Sequence, residues 1–315
     1  SMATDKTFAL GDCNNFSASC ERVFDPTLAG RAVVVLSNND GCIIARSEEA
    51  KALGIRMGQP LFECRDLIAR HGVHVFSSNF GLYGDLSRRV METLASFTPD
   101  MEVYSIDEAF LDLAGIPGDP AAYARTIRST VQQWVGHPVS IGIGPSKTLA
   151  KAAAKAAKKH PACGGVLDVA GREEETLAGI GVEDVWGVGR RYAKLLRSHG
   201  ILTALDLRNA PDAWVKKHMT VAGLRTVLEL RGTSCLPLED AEPPRKAILC
   251  SRSFGRKVYR IEELEEAAAA YAARAAEKLR DQDSAASCIQ VILIEFPFNE
   301  GYPKPRLCSA ALPVG

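Results

Sequence analysis

Short apolar runs punctuated by turn residues, and longer segments with helical spacing, divide the chain into elements of ordinary length. Phe8-Ala9-Leu10-Gly11-Asp12 reads as a buried strand ending in an acid. Cys13-Asn14-Asn15-Phe16-Ser17 turns away from it, and a helix runs from Ala18 to Phe24. Arg31 to Leu36 is a second buried strand; Asn38-Asn39-Asp40-Gly41 is a strong hairpin turn, and Cys42 to Ala45 returns as the partner. Ser47 caps a short helix whose first turn holds Glu48 and Glu49, where acids are favoured, and Gly54 ends it. Met57-Gly58-Gln59-Pro60 leads into another helix, to about Arg70. The stretch from Phe24 to Ser78 therefore reads as a small inserted unit.

Phe80 to Phe97 has helical spacing. The segment that follows, Val103 to Leu113, places two apolar runs around the adjacent carboxylates Asp107 and Glu108. In a regular strand neighbouring side chains point to opposite faces; at a turn that restriction is lifted, so a β-hairpin is predicted with both acids at or near its tip. Pro120 to Val135 is a second helix and Pro138 to Ile143 a further strand. With the insert set aside, the order strand, helix, strand, strand, helix, strand matches a ferredoxin-like arrangement. Asp12 and the Asp107-Glu108 turn then meet if their strands are neighbours in the sheet.

Ser146 to His160 is the most basic segment. Lys147, Lys151, Lys155, Lys158 and Lys159, at spacings of four and three, run along one helical face, to be read as a solvated face or as a rail for phosphates. Gly164-Gly165 breaks the chain and Val166-Leu167 is an edge strand. Gly171 to Gly232 is helical throughout and contains Val185-Trp186-Gly187-Val188-Gly189-Arg190-Arg191, a helix-hairpin-helix signature whose backbone N–H groups suit a DNA phosphate. Leu236 to Pro244 is a Pro- and acid-rich linker. Ile248 to Phe254 reads as a strand with Arg252 inside it and Arg245, Lys246, Arg256, Lys257 and Arg260 around it. A helix from Ile261 to Arg280 and a strand from Ser287 to Phe296 follow. Pro313-Val314-Gly315 starts another strand, so this last unit looks incomplete.

Composition adds exclusions. A chain of 315 residues forms about two or more domains at roughly 150 residues each. No apolar run is long enough to cross a bilayer, which argues against a membrane partner. Ser1-Met2 looks like an expression remnant, with no secretory signal behind it. Nine cysteines without a C-x-x-C pair suggest reduced, cytosolic thiols rather than disulfides or zinc. The net charge is zero, so the placement of charge matters more than its sum.

Three carboxylates facing one space suit two divalent ions held against a triphosphate, since Mg²⁺ takes oxygen ligands from carboxylates and phosphates. Two ions roughly 3.5–4 Å apart stabilise the attacking and the leaving oxygen together. Asp12 and Asp107 are the candidates to bridge both ions, and Glu108 to serve the ion near the attacking 3′-hydroxyl. Lys51 and Lys158 are candidates for the phosphate oxygens, because Lys is a point charge that demands no bidentate geometry.

Asp12, Tyr104-Ser105-Ile106-Asp107-Glu108-Ala109, Gly142-Ile143-Gly144 with Lys147 and Lys151, and the Val185 to Gly189 turn resemble a Y-family DNA polymerase. Ser37-Asn38-Asn39-Asp40-Gly41-Cys42 and Ser251-Arg252-Ser253-Phe254-Gly255 resemble one bacterial branch of it, and the likeness is collinear over nearly the whole chain. The resemblance implies an α+β, multidomain right-hand polymerase. Its parts are a ferredoxin-like palm (1–23 and 79–168), small fingers (24–78) and a helical thumb with the helix-hairpin-helix (169–232). A linker (233–243) and a partial little finger (244–315) complete it. It implies error-prone synthesis past damaged bases in the SOS response to DNA damage, with Mg²⁺ as the metal and Mn²⁺ as a substitute.

The implied metal ligands are Asp12, Asp107, Glu108 and the Cys13 carbonyl. Lys51 and Lys158 face the incoming deoxynucleoside triphosphate, and Asn15, Phe16 and Ser17 lie at its sugar. Lys147, Lys151, Gly187, Gly189, Arg190, Arg252, Arg256 and Lys257 are the implied contacts to primer-template DNA. The implied partners are a UmuD-type accessory dimer, RecA and the sliding clamp, in the bacterial cytoplasm at the nucleoid. Two departures stand out: the family's Tyr or Phe gate against a ribose 2′-hydroxyl is Ser17 here, and the last unit is expected to stop short of the tail that carries a clamp-binding peptide in relatives. A nucleotide cyclase with a related palm is a rival, but it needs no DNA grip. A catalytically silent DNA-binding scaffold is another, but it has no use for three acids and phosphate-facing lysines.

Overall fold

In the computed structural model, which describes residues 6–239, 247–295 and 304–312, β1 (Phe8–Cys13) is the middle strand of a five-stranded sheet. It leads into α1 (Phe16–Val23), followed by the insert: β2 (Val33–Leu36), β3 (Ile43–Arg46), α2 (Glu48–Ala52), α3 (Leu61–His71) and β4 (His74–Phe76). Then come α4 (Phe80–Ala95), β5 (Met101–Val103), β6 (Glu108–Asp112), α5 (Pro120–Val135), β7 (Val139–Gly144), α6 (Lys147–Lys159) and β8 (Val166–Asp168). The helices α7 (Glu173–Ala178), α8 (Arg190–Ser198), α9 (Ala204–Arg208) and α10 (Asp212–Leu230) complete the first of two compact units, Ser1–Glu242.

The sheet order is β5-β6-β1-β7-β8, with β1 antiparallel to both neighbours and β8 parallel to β7. Without β8 this is the ferredoxin-like order expected from the sequence. Alternation along the strands sorts the side chains. Ala9, Leu111, Ile141 and Ile143 meet Leu86, Val90 and Leu94 of α4 and Ile127 and Val131 of α5. Phe8, Leu10 and Phe110 meet Ala150 and Ala154 of α6 on the other face. By the same parity Asp12 and Glu108 belong to the α6 side. The approach of α6 to β7 is so close that a Cβ on Gly142 would lie 2.0 Å from the Ala154 nitrogen and 2.2 Å from the Ala150 carbonyl oxygen. Glycine is required there by space.

The insert forms its own sheet, β3-β2-β4, over a core of Val34, Leu36, Ile43, Ile55 and Cys64. Its hairpin turn and the Ser47 cap, which accepts from the Ala50 N–H, are as the sequence predicts. The strand β4 was not anticipated; it is only three residues long and mostly exposed. The helix α1 begins at Phe16 and not at Ala18, because Asn15 adopts a left-handed conformation (φ 48°) that completes the turn earlier.

Leu177, Leu196, Leu207, Val215 and Val227 bind α7 to α10 to one another and to Leu149 and Ala153 of α6. The helix α10 is broken at Thr220, whose φ of 67° and ψ of −172° lie where glycine alone is at ease. Thr220→Gly is expected to stabilise the protein by about 1–3 kcal/mol, less a few tenths for the Thr220 Oγ1 that accepts from the Ala222 N–H. That corresponds to a melting temperature raised by about 2–4 °C per kcal/mol, measured calorimetrically. A variant melting at or below the parent would show the break to be unstrained.

The second unit, Pro243–Gly315, contains α11 (Ile261–Asp281), β9 (Cys288–Glu295) and β10 (Lys304–Ala311), the two strands pairing antiparallel from Lys304↔Glu295 to Ala311↔Cys288. The strand predicted over Ile248–Phe254 does not form. A strand needs a neighbour for its N–H and C=O groups, and the sheet described here contains only β9 and β10. The strand β10 was missed because Lys304, Pro305 and Arg306 open it with charge and a proline, which an edge strand accepts. Arg245, Lys246, the prolines 243 and 244, and Pro313 to Gly315 lie outside the described residues. No described helix is long and apolar enough to cross a membrane.

Candidate active site

The end of β1 and the start of β6 carry the acids. Asp12 is in register with Glu108, one step beyond Gly11↔Ala109. Asp107 lies in the link 104–107 between β5 and β6, where its carbonyl accepts the Cys13 N–H at 2.8 Å and its Oδ1 accepts from Ser105 Oγ at 2.7 Å. The hairpin tip thus sets Asp107 against the residue after Asp12, and the three predicted carboxylates gather at two neighbouring strand ends.

Helix α6 supplies the opposite charge. Lys158 Nζ is 2.6 Å from Asp12 Oδ1, Lys151 Nζ is 2.8 Å from Glu108 Oε1, and Lys155 Nζ is 2.8 Å from Asp184 Oδ1. Burial pushes the Asp12 carboxyl above its usual range, the Lys158 ammonium pulls it back, and the charges of Glu108 and Asp107 push it up again. On the lysine face of α6, Lys155 and Lys158 remain exposed while Lys151, Lys155 and Lys158 are each matched to an acid. Lys147 corrects the sequence reading outright. It is 3% exposed, paired with the buried Glu102 and 4.9 Å from the centre of the Phe110 ring, so it offers no surface to a DNA phosphate.

Lys151 sits over the rings of Tyr104 (4.6 Å) and Trp186 (5.2 Å), and Trp186 Nε1 donates to the Tyr104 hydroxyl at 3.1 Å. These contacts bring the turn 185–189 beside the acid-bearing loop. In that turn Gly187 (φ 91°), Gly189 and Arg190 are exposed, and the N-terminus of α8 has no side-chain cap. Its first N–H groups are available to an anion. A cavity of about 400 Å³ opens between α6 and this helical part, lined by Asp12, Glu108, Lys151, Lys155, Lys158 and Trp186 among others.

On the insert side, Glu48 Oε1 accepts from both Asn15 Nδ2 and Lys51 Nζ at 3.0 Å. The Asn15 hydrogen bond holds the Glu48 carboxyl below its usual range. Glu48, not singled out in the sequence, ties α2 to the loop after β1; its one visible signal was the three-residue spacing to Lys51. Arg22 and Glu49 add a second tie at 2.7 Å. Phe16 is a correction: the residue is buried and its ring packs on His137 (centroids 5.3 Å apart) and Tyr83 (6.4 Å), so the ring faces the core and does not line a sugar pocket. Ser17, about 100° further round the helix, is half-buried. Arg252, Arg256 and Lys257 are exposed residues of the second unit, with Arg256 held by Glu263 at 2.8 Å.

The donor set of three carboxylates and the Cys13 carbonyl is the hard-oxygen chemistry that suits Mg²⁺-like cations. Among the described residues, no three His, Cys, Asp or Glu side chains converge closely enough to hold a metal as they stand. The ammonium groups of Lys158 and Lys151 occupy the places of cations on Asp12 and Glu108, and flexible lysine stems can yield them. The residues fit a divalent ion on that count.

The profile of the impB/mucB/samB family matches residues 11–155, and that of its C-terminal domain matches residues 245–306. The chain is 51% identical over 302 residues to protein UmuC of Salmonella typhimurium strain LT2, covering 94% of this chain and 72% of the relative. It is 48% identical to protein ImpB of Salmonella typhimurium (87% and 66%), and 35% identical to DNA polymerase IV of Moorella thermoacetica (70% and 56%). Among solved structures, the insertion ternary complex of Dbh DNA polymerase is similar at a TM-score of 0.64 and 25% identity, over 74% of this chain and 70% of that one. A Y-family DNA polymerase chimera shares the fold at a TM-score of 0.77 and 21% identity, over 98% and 88%.

Proposed function

Because the chain belongs to the impB/mucB/samB family, we propose that it is a Y-family DNA polymerase that copies a template past damaged bases with low fidelity. The observation that carries this is the register of Asp12 with Glu108 beside an Asp107 whose backbone is bonded to Cys13. Asp12 and Glu108 line the cavity, with Asp107 fixed beside them through its backbone and cations on the facing helix. Divalent ions, Mg²⁺ in the first instance, would be held by Asp12, Asp107, Glu108 and the Cys13 carbonyl, and would supply charge stabilisation for the attacking and leaving oxygens.

The chain's own residues do the rest. Lys158, one-third exposed at its side chain, can turn from Asp12 to the triphosphate oxygens. Lys51 approaches them from the insert, steadied by Glu48. Ser17 lies at the sugar. The sheet with α4 to α6 acts as palm, the insert as fingers, the helical part as thumb and the second unit as little finger. The exposed turn Gly187 to Arg190 takes a DNA phosphate. A UmuD-type dimer, RecA and the sliding clamp would be its partners at the nucleoid.

Primer extension with Mg²⁺ on undamaged and abasic templates tests this reading; no template-dependent product on either would overturn it. DNA affinity should fall with salt at a slope near −0.9 per phosphate contact. Neutralising Arg252, Arg256 and Lys257 together is expected to flatten that slope in a binding titration. An unchanged slope would mean that the three face solvent when DNA is bound.

A further inference from the structure

Past α10 the chain does not leave the first unit. The N–H groups of Gly232 and Thr233 return to the carbonyls of Glu229 and Leu228, each at 3.0 Å. Beyond them two buried carboxylates take hold of the backbone. Glu229, 0% exposed, accepts at Oε1 from the N–H and the hydroxyl of Thr148 (3.1 Å each) and at Oε2 from the Cys235 N–H (2.7 Å). Glu102, 8% exposed, accepts at Oε2 from Lys147 Nζ and from the Glu239 N–H (3.0 Å). Between these two points Leu238 packs against the cluster of Phe8, Leu10 and Phe110.

The energetics single this arrangement out. A carboxylate taken out of water is costly unless it is paired and hydrogen-bonded, and charge-assisted hydrogen bonds are the strong ones. Glu229 stands in the last turn of α10, the wrong end of its own helix for an acid, but it faces the first turn of α6, where the dipole favours it. Its place is explained by what it holds, not by the helix that carries it. A solvated linker needs no such anchors.

We propose that Glu229 and Glu102 are positioning residues that strap residues 232–239 to the first unit. The chain then sets out for the second unit from Glu239, beside β5, and not from Leu230. Releasing the strap would free up to eight residues, about 29 Å of extended chain at most. A longer tether lowers the effective concentration of one module at a site shared with another. The strapped form therefore favours joint grip of one duplex by both units, while the acids that do the chemistry are untouched. This consequence rests on the polymerase reading; the strap itself does not.

The test compares two full-length double variants. Cys235→Ala with Glu239→Ala removes both side chains and keeps both N–H groups. Cys235→Pro with Glu239→Pro removes the N–H groups as well. In hydrogen exchange the Cys235 and Glu239 amides should be protected in the parent and the alanine variant. In the proline variant, which lacks both, residues 233–239 should be cut by a non-specific protease at least tenfold faster than in the parent. In single-nucleotide insertion the proline variant should show a KM for primer-template raised at least threefold with kcat within twofold, and the alanine variant should match the parent. Fast exchange of the two amides in the parent, or unchanged protease resistance with prolines, overturns the strap. Faster cleavage with an unchanged KM overturns the positioning role. If the double proline variant does not fold, each proline alone is scored by cleavage and KM. A parent that inserts nothing overturns the polymerase reading, and exchange with proteolysis still decides the strap.

Discussion

Asp107→Ala is expected to lower the rate of nucleotide addition at least about a hundredfold, with primer-template affinity within about threefold of the parent. Asp107 is a proposed metal ligand, whereas the proposed grip on DNA lies in the turn Gly187 to Arg190 and in the second unit. Its backbone tie to Cys13 survives the substitution, and only the Ser105 hydrogen bond is lost. Charge stabilisation by a catalytic cation is worth several kcal/mol, and each 1.36 kcal/mol is about a factor of ten in rate. Single-turnover incorporation at saturating DNA and nucleotide, with a binding titration alongside, separates the two effects. A rate within tenfold of the parent would remove Asp107 from the catalytic set.

Ser17→Tyr is expected to make the enzyme reject ribonucleotides about 10–200-fold more strongly than the parent, in the ratio of kcat/KM for matched deoxyribo- and ribonucleoside triphosphates. A bulky ring beneath the sugar excludes a 2′-hydroxyl, and a single contact of this kind is worth roughly 1–3 kcal/mol of discrimination. Phe16 does not provide that ring, because it is stacked on His137 in the core. Ser17, half-buried on the next step of α1, is the proposed position for it. Equal sugar selectivity in the two proteins would mean that Ser17 is not at the gate.

Local chemistry made much of this molecule legible in the sequence. The Asn38 to Gly41 turn, the Ser47 cap, the helix Pro120–Val135 and the glycine-rich turn before α8 each depend on residues close together in the chain. So does the separation of Asp107 and Glu108 from strand alternation, since a turn is needed between two apolar runs. The strand–helix order foretold the ferredoxin-like sheet because connection rules leave few ways to arrange it. From there the meeting of Asp12 with Glu108 followed as a condition, met once β1 and β6 proved neighbours.

What the tertiary structure alone decided was the partner of each charge. Four lysines at helical spacing look alike in a sequence, yet Lys147 is buried on Glu102, Lys151 lies over two rings beside Glu108, and Lys158 reaches Asp12. The partners of these three come from 43 to 146 residues away in the chain, and no local pattern encodes that distance. The same holds for Glu229, an ordinary helix residue until α6 and the strap close over it. Sequence determined which groups this protein owns and which local shapes they take. Burial and long-range pairing, set only when the sheet closed and α6 came down on Gly142, determined which of those groups can act.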